Sequence, residues 1–403
     1  MRIRFKKSDL LPAAGIVQSV ANPQSTLPIL SNVLVSTEHD NMATLYATDY
    51  ETRARIQVPA EVQKKGQVTI PAKTFYDLIK EMPEEADVIL ESKDKGATIT
   101  CRDIVADLQT MPARDFPKWP EFEPEHQFEL PQGDLKRLLE KILFAVPVRD
   151  PRKVLLGALF EFKEGRLNAV ATDGKILAYY GLPMTPDFTG PMDRNLVIPH
   201  KMLDELGRNL RDEGVVEIAF DERQVGFRLG HNQFVSNQIE GRYPNYEAVV
   251  PKEFGRSLGF PKPPMSRAVR RASILSDIKN NAISMDFRGD TVVVEAESYD
   301  KGRLREELPA KADGGADFKI VFNYKFVNDV LKALDRDEIE LRVNQPTTPA
   351  VFRSVGIEIE NYYLVMPIKL AEIKEYDDQP MADGDGAADR DPGEDDDSGD
   401  GED

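Results

Sequence analysis

Two stretches of the chain carry a carboxylate at the same point of the same short phrase, LYATDYETRARI beginning at Leu45 and AVATDGKILAYY beginning at Ala169. A carboxylate at the end of an apolar run, as at Asp49 and Asp173, is where a hydrolase can keep a general acid or base. It is equally where an Asp bonds its own backbone and turns a hairpin, with Gly174 accepting a positive φ. Other reactive residues are sparse. The four histidines, His39, His126, His200 and His231, have no ligand spacing, the one cysteine, Cys101, sits in the strand-like run ATITCRDIVADL, and there is no Gly-rich phosphate loop. Since Asp49 and Asp173 fall in equivalent repeats, their shared role reads as structural, and no catalytic residue, metal or cofactor is assigned. The remaining cluster is cationic: Arg149, Arg152 and Lys153 in PVRDPRKV suit phosphate contact.

The elements around these residues recur. A fainter third copy, VVVEAESYDKGRL, starts at Val292, and the helical segments VTIPAKTFYDLIKEM, LVIPHKMLDELGRNL and IVFNYKFVNDVLKAL start at Val68, Leu196 and Ile320. Their spacings of 128 and 124 residues imply three tandem domains of ordinary size. In PQGDLKRLLEKILFAV the residues Leu135, Leu138, Leu139, Ile142, Leu143 and Val146 form one helical face, with Lys136, Arg137, Glu140 and Lys141 turned away. Phe326, Val327, Val330, Leu331 and Leu334 do the same later, leaving Lys325, Lys332 and Arg336 outside. Runs such as TVVVEAES and GALFEFKEGRLNAVAT predict antiparallel hairpins, so the class is α+β. The expected boundaries are 1–123, 124–252 and 253–370, followed by a segment at 371–403.

Composition agrees: 403 residues, 41% of them hydrophobic, suffice for three cores. A lone cysteine fits a reducing compartment, and MRIRFKKSDLL lacks a signal-peptide core, so a cytoplasmic protein is expected. The net charge is −18, but residues 377–403 hold 13 acidic residues and one Arg, leaving −6 for the rest. That composition predicts a disordered acidic tail. Helical segments at 8–21, 72–81, 131–146, 199–212, 264–279 and 323–336 sum to +4, which fits either a weakly cationic, phosphate-facing surface or ordinary solvated helix faces.

STLPILSNVLV at Ser25, the two ATD turns, GRYPNY at Gly241, AVRRASILS at Ala268 and LVMPIKL at Leu364 together resemble the bacterial DNA polymerase III β-subunit family of sliding clamps. The resemblance spans residues 1 to about 370. It implies three tandem DNA-clamp domains, antiparallel sheets outside with two helices per domain lining the ring, and a head-to-tail homodimer enclosing duplex DNA without sequence specificity. Twelve helices about 10 Å apart would leave a hole of about 28 Å, wide enough for a hydrated duplex. Implied partners are the replicative DNA polymerase catalytic subunit, the clamp loader, and repair polymerases and ligase, all through short linear motifs. The role is a non-catalytic processivity factor; the rival is a non-replicative paralogue acting as a scaffold. The absence of an ATP motif implies that another protein opens the ring.

Carried over by motif, the partner-peptide pocket would comprise Leu155, Thr172, Gly174, Leu177, Pro244, Val249, Asn323, Phe326, Leu364, Val365, Met366 and Pro367, although Leu155, Leu177 and Met366 could equally be core. DNA contacts would fall on Lys73, Arg149, Arg152, Lys153, Lys201, Arg267, Arg270 and Arg271. Dimer contacts would pair the IVADLQTM strand and Leu78, Ala106 and Leu108 with Ile274, Leu275 and the Arg303 region of the other subunit, because open edges must be paired. Departures from the family pattern fall at Gln24, Lys153 and Val154, and at Ala248, Asn280 and Ala350, expected on the pocket rim.

Overall fold

Among the described residues are six α-helices: α1 (Lys7–Val20), α2 (Ala72–Glu81), α3 (Gln132–Ile142), α4 (His200–Asn209), α5 (Lys262–Leu275) and α6 (Tyr324–Ala333). The computed structural model describes residues 1–39, 41–93, 96–119, 122–184, 194–313, 317–356 and 361–369; the acidic segment 371–403, for which disorder is expected, lies outside them. Four helices begin directly after a proline, at Pro71, Pro131, Pro199 and Pro261. Without an N–H, proline cannot extend the strand's ladder, and its fixed φ starts the turn into the helix. Helix α6 instead follows Asn323, whose Oδ1 accepts the Lys325 backbone N–H at 3.0 Å.

Each helix buries one stripe. Leu135, Leu138, Leu139 and Ile142 are buried on α3, and Val327, Val330 and Leu331 on α6. Helix α3 ends four residues short of the span its apolar spacing predicts, giving way to a single 3-10 turn at Leu143–Ala145. Pro147 holds Val146 in an extended conformation, which ends that turn.

The helices pack on antiparallel sheet, and the six strands that join or end the sheets are labelled here in chain order: β1 (Thr52–Pro59), β2 (Ile104–Leu108), β3 (Ile176–Pro183), β4 (Asn232–Asn237), β5 (Gly302–Pro309) and β6 (Asn361–Val365). Two sheets cross from one repeat to the next. Strand β1 pairs with β4 in the middle of an eight-stranded sheet, and β3 pairs with β6 in the middle of a nine-stranded one. The other two sheets stay within one repeat: a five-stranded sheet of the first repeat ends in β2, and a four-stranded sheet of the third ends in β5.

The two crossings are reinforced by lysines. Lys201 of α4 donates to the Val20 carbonyl at the end of α1 (2.9 Å) and to Asp49 Oδ2 (2.6 Å). Lys141 of α3 donates to the Ala333 carbonyl at the end of α6 (2.5 Å) and to Asp335. In each case a cation meets the negative end of a helix in the neighbouring repeat. Ser19 adds a hydrogen bond to Glu205 at 2.5 Å. Lys141 is therefore a correction to the expected solvent-facing stripe: its side chain is only 9% exposed. Amphipathic spacing places it at the stripe's edge, but the neighbouring repeat covers that edge.

Replacing Lys141 by Ala would remove the shorter of the two hydrogen bonds to the buried Ala333 carbonyl, leaving only the Tyr363 hydroxyl at 3.4 Å, and would leave Asp335 without its cation. A loss of about 1–3 kcal/mol is expected in denaturant unfolding, whereas replacing the exposed Lys332 on α6 should cost less than about 0.5 kcal/mol.

Candidate functional site

The paired carboxylates of the first motif are turn formers. Asp173 Oδ1 accepts the backbone N–H groups of Lys175 (2.7 Å) and Ile176 (2.8 Å), and Asp49 Oδ1 accepts those of Glu51 (3.0 Å) and Thr52 (2.6 Å). Thr172 Oγ1 donates to the Ile176 carbonyl and accepts the Gly174 N–H, and Gly174 has φ +88°. A carboxylate bound to its own loop in two repeats is positioned to shape the hairpin and to hold the following strand at the repeat junction.

Beside the second turn lies an apolar cluster separate from the main core. Leu155, Leu159, Val170, Leu177, Tyr179, Val351 and Leu364 are buried together, and they come from both the second and third repeats. Tyr179 stacks on Tyr362 across the β3–β6 junction, with ring centroids 4.6 Å apart. Three large apolar groups stand near this cluster in sequence yet remain open to solvent: Val249, Met366 and the Pro244 ring. The expected pocket is thus divided. Leu155, Leu177 and Leu364 share this cluster, but Val365, on the opposite face of β6, belongs to the main core, as period-two alternation requires. Phe326 packs on that core too, Asn323 is occupied as the cap of α6, and Pro367 is half-buried. Ala350, expected on the rim, is fully buried, while Ala248 is exposed and Asn280 accepts the Ala282 N–H.

A cavity of about 500 Å³ lies around the 238–247 segment and shares Pro244 with the expected pocket. Its walls are charged, with Glu161, Lys163, Glu222, Arg223 and Arg242. Glu161 is engaged there: it accepts from the Tyr246 hydroxyl at 2.7 Å and from Asn168 at 3.3 Å. Burial, reinforced by Glu161, pushes the Tyr246 hydroxyl well above the usual tyrosine range. Among the described residues, no group of three or more His, Cys, Asp or Glu side chains is arranged to hold a metal ion.

The cationic residues also divide. Arg149, Lys153, Arg267 and Arg270 are exposed. Lys201 is spent on the repeat junction, Lys73 pairs with Asp77 at 3.0 Å, and Arg271 pairs with Glu306. Arg152 is folded back: its Nε and Nη2 donate to the two Asp150 oxygens, each at 2.9 Å, and Nη2 also reaches the Asp173 carbonyl at 3.1 Å. The Arg152 side chain, and then its backbone N–H, hold the Asp150 carboxyl down to about 2. A carboxyl depressed below its ordinary value keeps its partner at every pH above that range, so the pair survives through neutral pH and is lost only in strong acid. Over the helices as built the formal charges are 0, 0, +1, 0, +4 and +1, so the cationic surplus is concentrated on α5.

Twelve large apolar side chains stay exposed among the described residues, and their placement is uneven. Ile104 and Val105 lie on β2; Ile274 is on α5, Ile278 just beyond it, and Tyr299 in the turn before β5. They lie on or flank β2 and β5, the sheet-terminal strands at the boundary that no pairing within the chain closes. Leu78, Ala106, Leu108 and Leu275 are half-buried alongside them.

Three family models match the chain in order: the N-terminal domain of the DNA polymerase III beta subunit at residues 1–120, its central domain at 129–245 and its C-terminal domain at 247–369. The chain belongs to the bacterial DNA polymerase III beta-subunit family. Among relatives, the beta sliding clamp of Synechocystis sp. is 29% identical over 394 residues, covering 92% of this chain and all of the relative. That of Caulobacter vibrioides is 28% identical over 377 residues at the same coverage. Among solved structures, the sliding clamp of Bartonella birtlesii aligns with a TM-score of 0.85 at 28% identity, and the subunit beta of Pseudomonas aeruginosa with 0.83 at 26%, each over 92% of this chain and 100% of that one. The acidic segment lies beyond the last family match.

Sequence reading missed Lys141, Ser19 and Glu205, because nothing local distinguishes a lysine or serine that meets another repeat from one that meets water.

Releasing Arg152 is a direct check on the clamped guanidinium. Asp150→Asn should raise affinity for short open duplex DNA at low salt by about two- to fivefold, and the gain should vanish as screening shortens, as read by fluorescence anisotropy across a salt series.

Proposed function

We propose that the chain is one protomer of a ring-shaped sliding clamp, a non-catalytic processivity factor that encircles duplex DNA and tethers the replicative polymerase and other replication and repair proteins. The observation that carries this reading is the chain's own junctions. Two of the three repeat boundaries are closed by strand pairing, and the third is left as complementary open ends at β2 and β5. Head-to-tail pairing with a second copy closes both ends at once, giving a homodimer with six domains.

Holding DNA by enclosure needs little affinity. The exposed Arg267 and Arg270 on α5, with Arg149 and Lys153 in the loop after α3, supply sparse phosphate contacts of the kind that permit sliding. Lys73 and Arg271 would have to leave Asp77 and Glu306 to join them, and Arg152 would have to leave Asp150. Lys201 stays with the repeat junction.

For protein partners the reading is a peptide cleft on the junction of the second and third repeats. Leu155, Leu177 and Leu364 form its floor, Val249, Met366 and Pro244 its rim, and the Thr172–Gly174 turn one end. A floor of branched aliphatics with a flexible Met at the mouth accepts varied apolar anchors, whereas the charged cavity around Glu161 does not. Domain boundaries at 1–123, 124–252 and 253–370 fall in the connections between repeats and complete the proposal.

Loading onto nicked circular plasmid tests enclosure: retention that is lost on linearisation supports it, and equal retention on both forms overturns it. For the cleft, Val249→Ala with Met366→Ala removes exposed groups only. Binding of a partner-motif peptide should weaken at least about tenfold, measured by calorimetry, with the dimer unchanged; unaltered affinity places the cleft elsewhere.

A further inference from the structure

The two closed junctions use one register. Following each repeat from its first strand, Ile3, Phe128 and Leu258 are equivalent, since each lies four residues before its helix. Their ladder partners are then Leu90, Ile218 and Leu341, the next partners Ile99, Phe227 and Phe352, and the last Ala106, Phe234 and Tyr363. On the other side of each junction, Ala54 pairs back to Ala47, Ala178 to Ala171 and Leu304 to Ala296, which makes Ala54, Ala178 and Leu304 equivalent. At the first junction Phe234 faces Ala54, and at the second Tyr363 faces Ala178. The same step separates the neighbours: Val235 faces Arg53, and Leu364 faces Leu177.

Applied to the open ends, this register sets Ala106 of one protomer opposite Leu304 of its partner. Asp107 then falls opposite Arg303, Val105 opposite Arg305, and Leu108 opposite Gly302. We infer that Asp107 and Arg303 form a cross-strand charge pair that favours the partner at ring closure, in the register inherited from the closed junctions, a reading that deepens the ring-shaped clamp proposed above. The second copy is the occupant because the strand counts agree. Four strands ending in β5 and five ending in β2 make nine, the composition of the sheet already closed at β3 and β6.

Faces agree as well. Ala106 and Leu108 on β2, and Leu304, Glu306 and Leu308 on β5, alternate as the half-buried residues, while Asp107, Arg303 and Arg305 are exposed. A slip of one residue would set the exposed Asp107 against the inward Leu304, which the pleat forbids. A slip of two would set Ala106 against Glu306, a carboxylate on the inward face. That slipped register would still set Asp107 opposite a cation, Arg305, so charge does not exclude it; the register shared by the two closed junctions does, and it alone places Ala106 against Leu304.

Both side chains are charged and within reach of solvent before closure. Thr98 Oγ1 donates to Asp107 Oδ1 at 2.5 Å and Lys93 stands at 3.5 Å, and together they keep the carboxyl below its usual range. Arg303 rests against Glu295 at 3.0 Å, which it shares with Arg305 and Lys319. Glu295 therefore keeps two other cations when Arg303 turns to the partner, so the exchange strands no carboxylate.

The test is charge reversal with rescue in trans. Asp107→Arg sets Arg against Arg at both interfaces of a homodimer, and Arg303→Asp sets Asp against Asp. Each variant alone should raise the dimer dissociation constant at least about tenfold at low salt, read by analytical ultracentrifugation. Mixing the two full-length variants gives a ring in which every pair is opposite in charge, and its dissociation constant should return to within about threefold of the unaltered protein. Rescue also shows that each variant folds. As a check on register, Val105→Cys mixed with Arg305→Cys should form an intermolecular disulfide on mild oxidation, whereas Val105→Cys mixed with Glu307→Cys should not, since directly opposed positions lie within bridging distance and diagonal ones do not. Unaltered dimerisation of both charge variants, failure of rescue, or cross-linking only at the diagonal pair overturns the assignment. If the unaltered protein itself neither dimerises nor stays on circular DNA, it is the clamp reading that falls.

Discussion

Unpaired strand edges govern this molecule. A β-strand at the end of a sheet presents N–H and C=O groups that water satisfies only while the edge stays exposed, and any neighbouring strand competes for them. At the repeat boundaries each of the three repeats offers one strand edge on either side, six in all, while further terminal strands lie away from the boundaries. Four are consumed by β1 with β4 and by β3 with β6. The remaining two, β2 and β5, belong to different repeats, so two chains are needed to satisfy them. Everything else in the structure follows that count: helices on one side of the sheets, lysines reaching across junctions, and partner surface at a seam.

The seam explains why a binding cleft can sit between the second and third repeats. Pairing of β3 with β6 brings Leu177 and Leu364 side by side, and the Asp173 turn brings Thr172 and Gly174 to the end of the same strands. Neither repeat alone holds the apolar floor. The first junction has the same backbone register but places Arg53 and Val235 at the corresponding points, with Thr52 and Ser236 beside them. A cationic residue there removes the continuous apolar floor, so the same architecture yields one apolar cleft rather than two.

Legibility in the sequence followed the range of the interactions. The α+β class, the three repeats and the helix faces of α3 and α6 were readable because they rest on local periodicity and on motif spacing. The role of Asp173 was readable because an Asx turn is made within four residues. What was not readable involves a second repeat. Lys141 has the same helical neighbours as any surface lysine until α6 arrives to supply the Ala333 carbonyl. Val365 and Leu364 are adjacent in a conserved-looking apolar phrase, and only the pleat assigns one to the main core and the other to the seam. Arg152 is the local exception: it reads as a phosphate contact from composition, but Asp150, two residues before it, takes its Nε and one terminal donor, Nη2.

Charge distribution completes the physical picture. Acidic residues dominate the chain, yet the helix surplus falls on α5, which carries four cations and no acid. Concentrating positive charge on one helix per protomer, rather than spreading it evenly, gives a two-fold ring two opposed cationic faces. A duplex between them can make sparse, non-specific phosphate contacts with either face without being held at any one phosphate. The acidic remainder of the ring opposes binding to its outer surface, which directs the same polyanion to the interior. A protein built this way needs no high-affinity site for DNA, because topology supplies retention and electrostatics needs only to supply position.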